Sequence, residues 1–177
     1  MDVEKKIVIF FNKHESKSFD TLSYLVSNVF FLIFFWFFVA AVVVYYDLLV
    51  GALFCLALVM VFSLHFLISE GILKWGSKKL GLGRVRPYKA YPEEIKPIGR
   101  KFADSSFPSS HLASMVGGLV VLDYFYSSIF FYAIFAVIIL GWSRLRNGMH
   151  YPTDILAGIL LGLVYGYVAL YMLSILF

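Results

Sequence analysis

Apolar residues run along this chain in long uninterrupted blocks rather than in the short periodic stripes of a water-soluble fold. Thr21 to Tyr46, Leu48 to Ser69, Tyr124 to Leu140 and Ile155 to Phe177 carry no charged residue. Blocks of about 20 apolar residues, wound as helix, match the hydrocarbon thickness of a bilayer. Turn-forming residues divide the chain between them. Asp47 marks a tight turn after a first span over about 21–46. A second span starts near residue 48 and continues past the bilayer surface, because Glu70 to Lys79 holds no breaker except Gly71 and Gly76. Gly81, Gly83 and Pro87 end it. A third helix opens at Pro108 or Ser109 and runs to about Phe125, and a fourth covers about 127–145. A fifth begins at Pro152, a favourable first-turn residue. Ahead of them all, Ile7, Phe10, Phe11 and His14 recur at helical spacing, which predicts an amphipathic helix over residues 1–20 lying in the membrane interface.

The expectation is therefore an all-α, polytopic membrane helix bundle. It has about five transmembrane helices plus the N-terminal interfacial helix, in a single membrane-embedded domain over 1–177. Composition agrees. Apolar residues make up 61% of the chain and mean hydropathy is +0.85, well above the roughly half-apolar content of soluble domains. The first apolar block is too long, and its flanks too mixed in charge, for a cleavable signal peptide. Cys55, the only cysteine, lies inside an apolar block and reads as a packing residue. Gly158, Gly162 and Gly166 recur every fourth residue and put a smooth stripe on one face of the last helix. Close packing inside the bundle is the first reading of that stripe, and a homodimer seam the alternative.

Charge is distributed unevenly. All fifteen Lys and Arg fall in the N-terminal segment, in residues 74–101, or at Arg144 and Arg146. With five spans these three regions share one side of the membrane, and the other side carries only Asp47 and Asp123 in its turns. Residues 81–108 form the one long polar loop, too long for a plain connector, and are expected to be an active-site loop. Counting helices is enough to bring Lys79 and Arg86, Ser109 to His111, and Arg144 to Asp154 to one membrane face.

The residue types at that face suit a phosphate. Lys79, Arg86 and Arg144 supply positive charge, and arginine adds forked donors that match phosphate oxygens. Ser109, Ser110 and His111 stand at a helix start, where free backbone N–H groups favour an anion. His150 and Asp154 lie four residues apart, so the carboxylate can orient one ring nitrogen and leave the other free to attack. His111 is then available as a general acid. The competing reading is a basic loop drawn to anionic lipid, which explains the positive charge but not the two histidines and the aspartate.

Lys79-(six residues)-Arg86-Pro87, Pro108-Ser109-Ser110-His111, and Ser143-Arg144-(five residues)-His150-(three residues)-Asp154 resemble, in order and spacing, the three signature motifs of the type-2 phosphatidic acid phosphatase family. The resemblance covers Lys79 to Asp154. It implies that His150 is the nucleophile that forms a phosphohistidine, that Asp154 orients it, and that His111 protonates the leaving group. Lys79, Arg86, Arg144, Ser109 and Ser110 would hold the phosphoryl group, with Pro87, Pro108 and Ser143 in support. The family uses no metal and no cofactor. Two departures stand out: Ser110 occupies a position where the family usually has glycine, and the chain has room for five spans where many relatives have six.

The function expected from these readings is metal-independent hydrolysis of a phosphate monoester or diphosphate on a membrane lipid. Polyprenyl diphosphate of the undecaprenyl type is the first choice of substrate, since small microbial members often recycle that carrier. Lipid A 1-phosphate, phosphatidylglycerol phosphate and phosphatidic acid are the alternatives, and a catalytically dead membrane scaffold is the non-enzyme alternative. A transporter is disfavoured by the lack of paired broken helices. The bilayer and a lipid phosphate are the implied partners; nucleic acid is not. The expected location is a plasma (inner) membrane. The basic bias argues for a cytoplasmic active site, whereas the family resemblance places it on the extracytoplasmic face, the orientation adopted here.

Overall fold

A computed structural model describes residues 3–13 and 16–177. The described residues are helical with no strand. The helices are α1 (Val3–Asn12), α2 (Lys17–Val26), α3 (Val29–Tyr46), α4 (Leu48–Leu64), α5 (Ser77–Lys79), α6 (Pro87–Ala90), α7 (Ser110–Phe125), α8 (Phe130–Arg146) and α9 (Pro152–Leu176). A π-helical segment, His65–Gly76, joins α4 to α5 without a break, and a short 3-10 turn, Ser127–Ile129, leads into α8. Four stretches are long and apolar enough to cross a membrane: Val29–Tyr46, Leu48–Lys79, Ser127–Arg146 and Pro152–Leu176. The fifth helix of the bundle, α7, is shorter, at 16 residues or about 24 Å.

The short helix is the central one. α7 lies against α9 along most of its length and also touches α4 and α8, while α3 packs on the outer side of α4. Val116, Leu119, Phe54, Val61, Leu140 and Tyr165 are buried at these contacts. The lipid-facing residues of α3, among them Phe30, Phe34, Phe37 and Phe38, stay exposed, as expected of a helix solvated by acyl chains.

The glycine stripe explains the α7–α9 contact, in line with its first reading as a close-packing face. A side chain at Gly158 would meet the Ser109 carbonyl oxygen at 2.5 Å, at Gly162 the Ala113 carbonyl oxygen at 2.7 Å, and at Gly166 the Val120 Cβ at 2.5 Å. The two backbones approach because those side chains are missing. The stripe is occupied by α7 inside the chain.

The N-terminal region differs from expectation. The predicted first span over 21–46 is two helices. α2 ends at Val26, and α3 starts after Asn28, whose side chain accepts from the backbone N–H groups of Phe30 (2.8 Å) and Phe31 (3.4 Å). An apolar count cannot see this N-cap, because Ser27 and Asn28 are uncharged. The single interfacial helix over 1–20 is instead α1 followed by the start of α2, and His14 lies outside the described residues. α1 does not simply float at the interface. Val8 is fully buried in a small cluster with Tyr88, Ile95, Met149 and Tyr151. The Asn12 amide donates to the carbonyls of Lys96 (2.8 Å) and Arg146 (2.6 Å). α1 and α2 therefore clasp the polar loop and the end of α8.

Candidate active site

The three polar stretches meet at one end of the bundle, where the second span and α8 finish and α3, α7 and α9 begin. The chain reverses between α8 and α9 in five residues, 147–151. Gly148, at φ +66°, makes the turn that other residues adopt at a cost, and the N–H of Met149 returns to the Arg144 carbonyl at 3.1 Å. Asn147 anchors the turn from the side, donating to Ser27 Oγ (2.7 Å) and accepting from Ser23 Oγ (2.8 Å). His150 is thereby aimed into the bundle, and only 1% of it is exposed.

A cavity of about 710 Å³ opens beside it. Its polar end is lined by Lys74, Arg86, Asp104, Ser110, His111, Arg144 and His150. Its apolar end continues between α3 and α4, along Leu32, Trp36, Phe37, Leu58 and Phe62. A charged head and an apolar tail thus share one continuous space.

The His150 ring is held by the loop. Nδ1 lies 2.7 Å from the Ser106 carbonyl oxygen, which can only accept, so Nδ1 carries the proton. The lone pair of the neutral ring is then on Nε2, which faces Arg86 Nη1 at 3.4 Å. Burial lowers the imidazole pKa well below 6.5, and the nearby charges of Arg144, Arg86 and Lys74 lower it further, against a smaller pull from Ser106. The His150 ring is therefore held neutral, with its Nε2 lone pair turned to a cluster of cations.

Asp154 stands differently from expectation. Its Oδ2 is 3.7 Å from His150 Nδ1, beyond hydrogen-bond length. Its two oxygens are taken elsewhere: Oδ2 accepts from the Tyr151 N–H at 2.8 Å, and Oδ1 from Arg84 Nη1 at 2.7 Å. Asp154 caps the first turn of α9 and supplies negative charge beside the ring, while the Ser106 carbonyl is its direct partner.

Arg86 is 2% exposed and donates to Asp104 Oδ1 (2.7 Å) and to the carbonyls of Ser105 and Met149, both at 3.2 Å. Burial favours the neutral form of Asp104, but Arg86 and Lys74 outweigh it and hold the carboxyl below its usual range. Arg144 is 3% exposed, with an Nε that has no hydrogen-bond partner among the described residues. Ser109 is fully buried, and its N–H donates to the Asp154 carbonyl at 3.0 Å, which ties α7 to α9. Pro87 opens α6, and Pro108 follows a cis peptide bond with Phe107; both are buried. Ser143 is buried inside α8, where its hydroxyl donates to the Leu140 carbonyl, so it is a helix residue rather than a cavity residue.

Lys79 is not brought to the site. It is exposed, and its ammonium lies 3.9 Å from the centroid of the Trp75 ring. Lys74 takes the place expected for it. Only 6% exposed, it donates to Glu70 at 3.0 Å, approaches Asp104 at 3.5 Å, and donates to Ser110 Oγ, which in turn donates to Glu70. The π-helical stretch explains the change, because i→i+5 bonding rotates side chains away from where 3.6-residue turns would aim them. Glu70 and Lys74, four residues apart at the end of an apolar block, were the available sequence signal. His65 is 6% exposed, with Nε2 3.9 Å from Glu70.

Comparison with known proteins follows the same outline. The family profile of the PAP2 superfamily matches residues 48–176. A PAP2-type phosphatidylglycerolphosphate phosphatase from Bacillus subtilis is similar in structure, with a TM-score of 0.69 and 20% identity, over 96% of this chain and 83% of that one. Aquifex aeolicus LpxE is similar with a TM-score of 0.65 and 19% identity, over 97% of this chain and 96% of that one. Among curated proteins no match is found.

Proposed function

Because the chain belongs to the PAP2 superfamily, we propose that it is a membrane lipid phosphatase working through a phosphohistidine at His150, without a metal. The observation that carries this reading is the His150 geometry. The Ser106 carbonyl fixes the proton on Nδ1 and leaves the Nε2 lone pair beside Arg86, in a cavity that continues into apolar space.

In the proposed reaction, Nε2 attacks phosphorus and the phosphorus–oxygen bond to the lipid breaks. His111, on the opposing helix start, takes up a proton when the negatively charged lipid phosphate enters beside it, and delivers that proton to the departing oxygen. Water then attacks the phosphohistidine, gives its proton to the now neutral His111, and inorganic phosphate leaves with His150 restored. Arg86, Arg144 and Lys74 balance the charge that builds on the phosphoryl oxygens, the kind of fixed electrostatic stabilisation that dominates such transfers.

For the lipid we propose a polyprenyl diphosphate of the undecaprenyl type. Three cations converge at the polar end, and the apolar end is a single space between two helices, which suits one chain. The substrate named for the Bacillus subtilis neighbour, phosphatidylglycerol phosphate, is the second reading. We propose that the protein sits in a plasma (inner) membrane with its catalytic end on the extracytoplasmic face, where such carriers are processed. Phosphate release in detergent with EDTA, measured on polyprenyl diphosphate, phosphatidylglycerol phosphate, lipid A and phosphatidic acid, tests the assignment. Fastest release from the polyprenyl lipid is expected. Release that EDTA abolishes would overturn the metal-free mechanism, and no release from any lipid would favour the scaffold.

A further inference from the structure

The residue that holds Asp154 is itself held from outside the region matched by the family profile. Arg84 donates through Nη1 to Asp154 Oδ1 (2.7 Å) and to the Thr153 hydroxyl (2.6 Å), and its guanidinium lies 4.1 Å from the Tyr151 ring centroid. Its other terminal nitrogen, Nη2, pairs with Glu4 on α1. Glu4 also accepts from the Thr153 N–H (3.1 Å) and hydroxyl (2.6 Å), so it grips the first turn of α9 directly. Asp154 is fully buried, and Arg84 is the cation paired with it.

We propose that Glu4 and Arg84 are positioning residues for the phosphoryl-transfer site: α1 reaches across the membrane face and, through Arg84, sets how much of the Asp154 charge is felt by His150. The inference rests on the phosphohistidine reading above. Geometry supports it at each link. Asp154 Oδ2 is 3.7 Å from His150 Nδ1, close enough to favour the imidazolium, and Arg84 on the other oxygen offsets that charge. Glu4 on the far side of Arg84 in turn divides the arginine's positive charge. α1 is fixed in place by independent contacts, with Val8 in the buried cluster, Asn12 on two carbonyls, and Lys5 paired with Glu94. Glu4 is thus presented by a docked helix rather than by a loose terminus.

The arrangement makes a prediction of sign. His150 is faced by Arg86 from the loop, Lys74 from the π-helical segment, Arg144 from α8, His111 from α7, Asp104 from the loop and Asp154 from α9. Its protonation sets the acid limb of kcat/KM, since only the neutral ring attacks. Arg84→Gln removes the cation from Asp154, which then favours the imidazolium more strongly, so the acid limb moves to higher pH. Glu4→Gln leaves the whole Arg84 charge on Asp154, so the limb moves to lower pH. Loosening of Asp154, which caps the turn next to His150, is also expected to lower kcat of Arg84→Gln on the order of tenfold with KM unchanged. Arg84→Lys, which keeps the charge, should restore most of the loss.

The experiment is the pH profile of kcat/KM for the full chain and these three variants on one lipid phosphate, with exposed Lys6→Gln as a control expected to match the parent. Opposite shifts for Arg84→Gln and Glu4→Gln support the proposal. Shifts in the same direction, or lower activity with no shift, would reduce both residues to structural props and overturn it. If Arg84→Gln does not fold, Arg84→Lys and Glu4→Gln carry the comparison, and a parental profile for both would overturn it equally. A parent chain that releases no phosphate would instead remove the phosphatase reading beneath the proposal.

Discussion

The two ends of this bundle are built from the same greasy helices but use charge in opposite ways. At the far end Asp47 and Asp123 are the only charged residues among the described ones, and Asp47 serves its own chain, accepting from the Val50 N–H at 3.0 Å to cap α4. At the catalytic end several charges reach across elements. Lys74 from the second span meets Asp104 from the loop and Ser110 from α7. Arg84 from the loop meets Glu4 from α1 and Asp154 from α9. At the far end Asp47 shapes a turn, whereas charge at the catalytic end assembles a site from segments remote in sequence. Partly buried polar groups are tolerated beside a bilayer only when they are paired or used, and here both conditions hold within one shell.

The comparison can be broken most sharply within the catalytic end. Lys74 is buried among the cavity groups, while Lys79, at the position the motif spacing favours, stacks on Trp75 in the open. Lys74→Met should lower kcat/KM by roughly 10²- to 10³-fold, the scale set by loss of a single transition-state donor. Lys79→Met should stay within about twofold of the parent, as surface substitutions do. Phosphate-release kinetics on the two variants decide between the residues, and the reverse ranking would restore the spacing-based assignment. The smallest effect belongs to the far end. Asp47→Ala removes a cap worth about 1 kcal/mol, visible as a lower unfolding temperature in detergent. Activity should not change, and an altered kcat would show that the two ends are coupled after all.

Much of this architecture is legible in the chain because bilayer thickness, charge and breakers act locally. The second span, the fourth helix and the Pro152 start of α9 lie where block length and turn residues put them. The convergence of His111, Arg86, Arg144 and His150 on one cavity follows from the number of spans. Three features escaped for physical reasons. The Asn28 cap that splits α2 from α3 is uncharged, so it is invisible to a hydropathy count. The π-helical turn that brings Lys74 inward and leaves Lys79 outside has no residue signature in the chain; its first turns pack on α9, where Ser69 Oγ and the Tyr165 hydroxyl lie 2.8 Å apart. The Ser106 carbonyl, closer to His150 than the expected Asp154, is a backbone group that any residue would supply, so no side-chain pattern encodes it.

The central claim is that His150 Nε2 becomes covalently bonded to phosphorus. The most direct measurement is to stop turnover in alkali, with EDTA present and a lipid labelled in its terminal phosphate, and to map the label on the protein. The account predicts an acid-labile, alkali-stable phosphate on the peptide containing His150, absent from His150→Ala together with phosphate release. Label on another residue, or release that continues in His150→Ala, would contradict it.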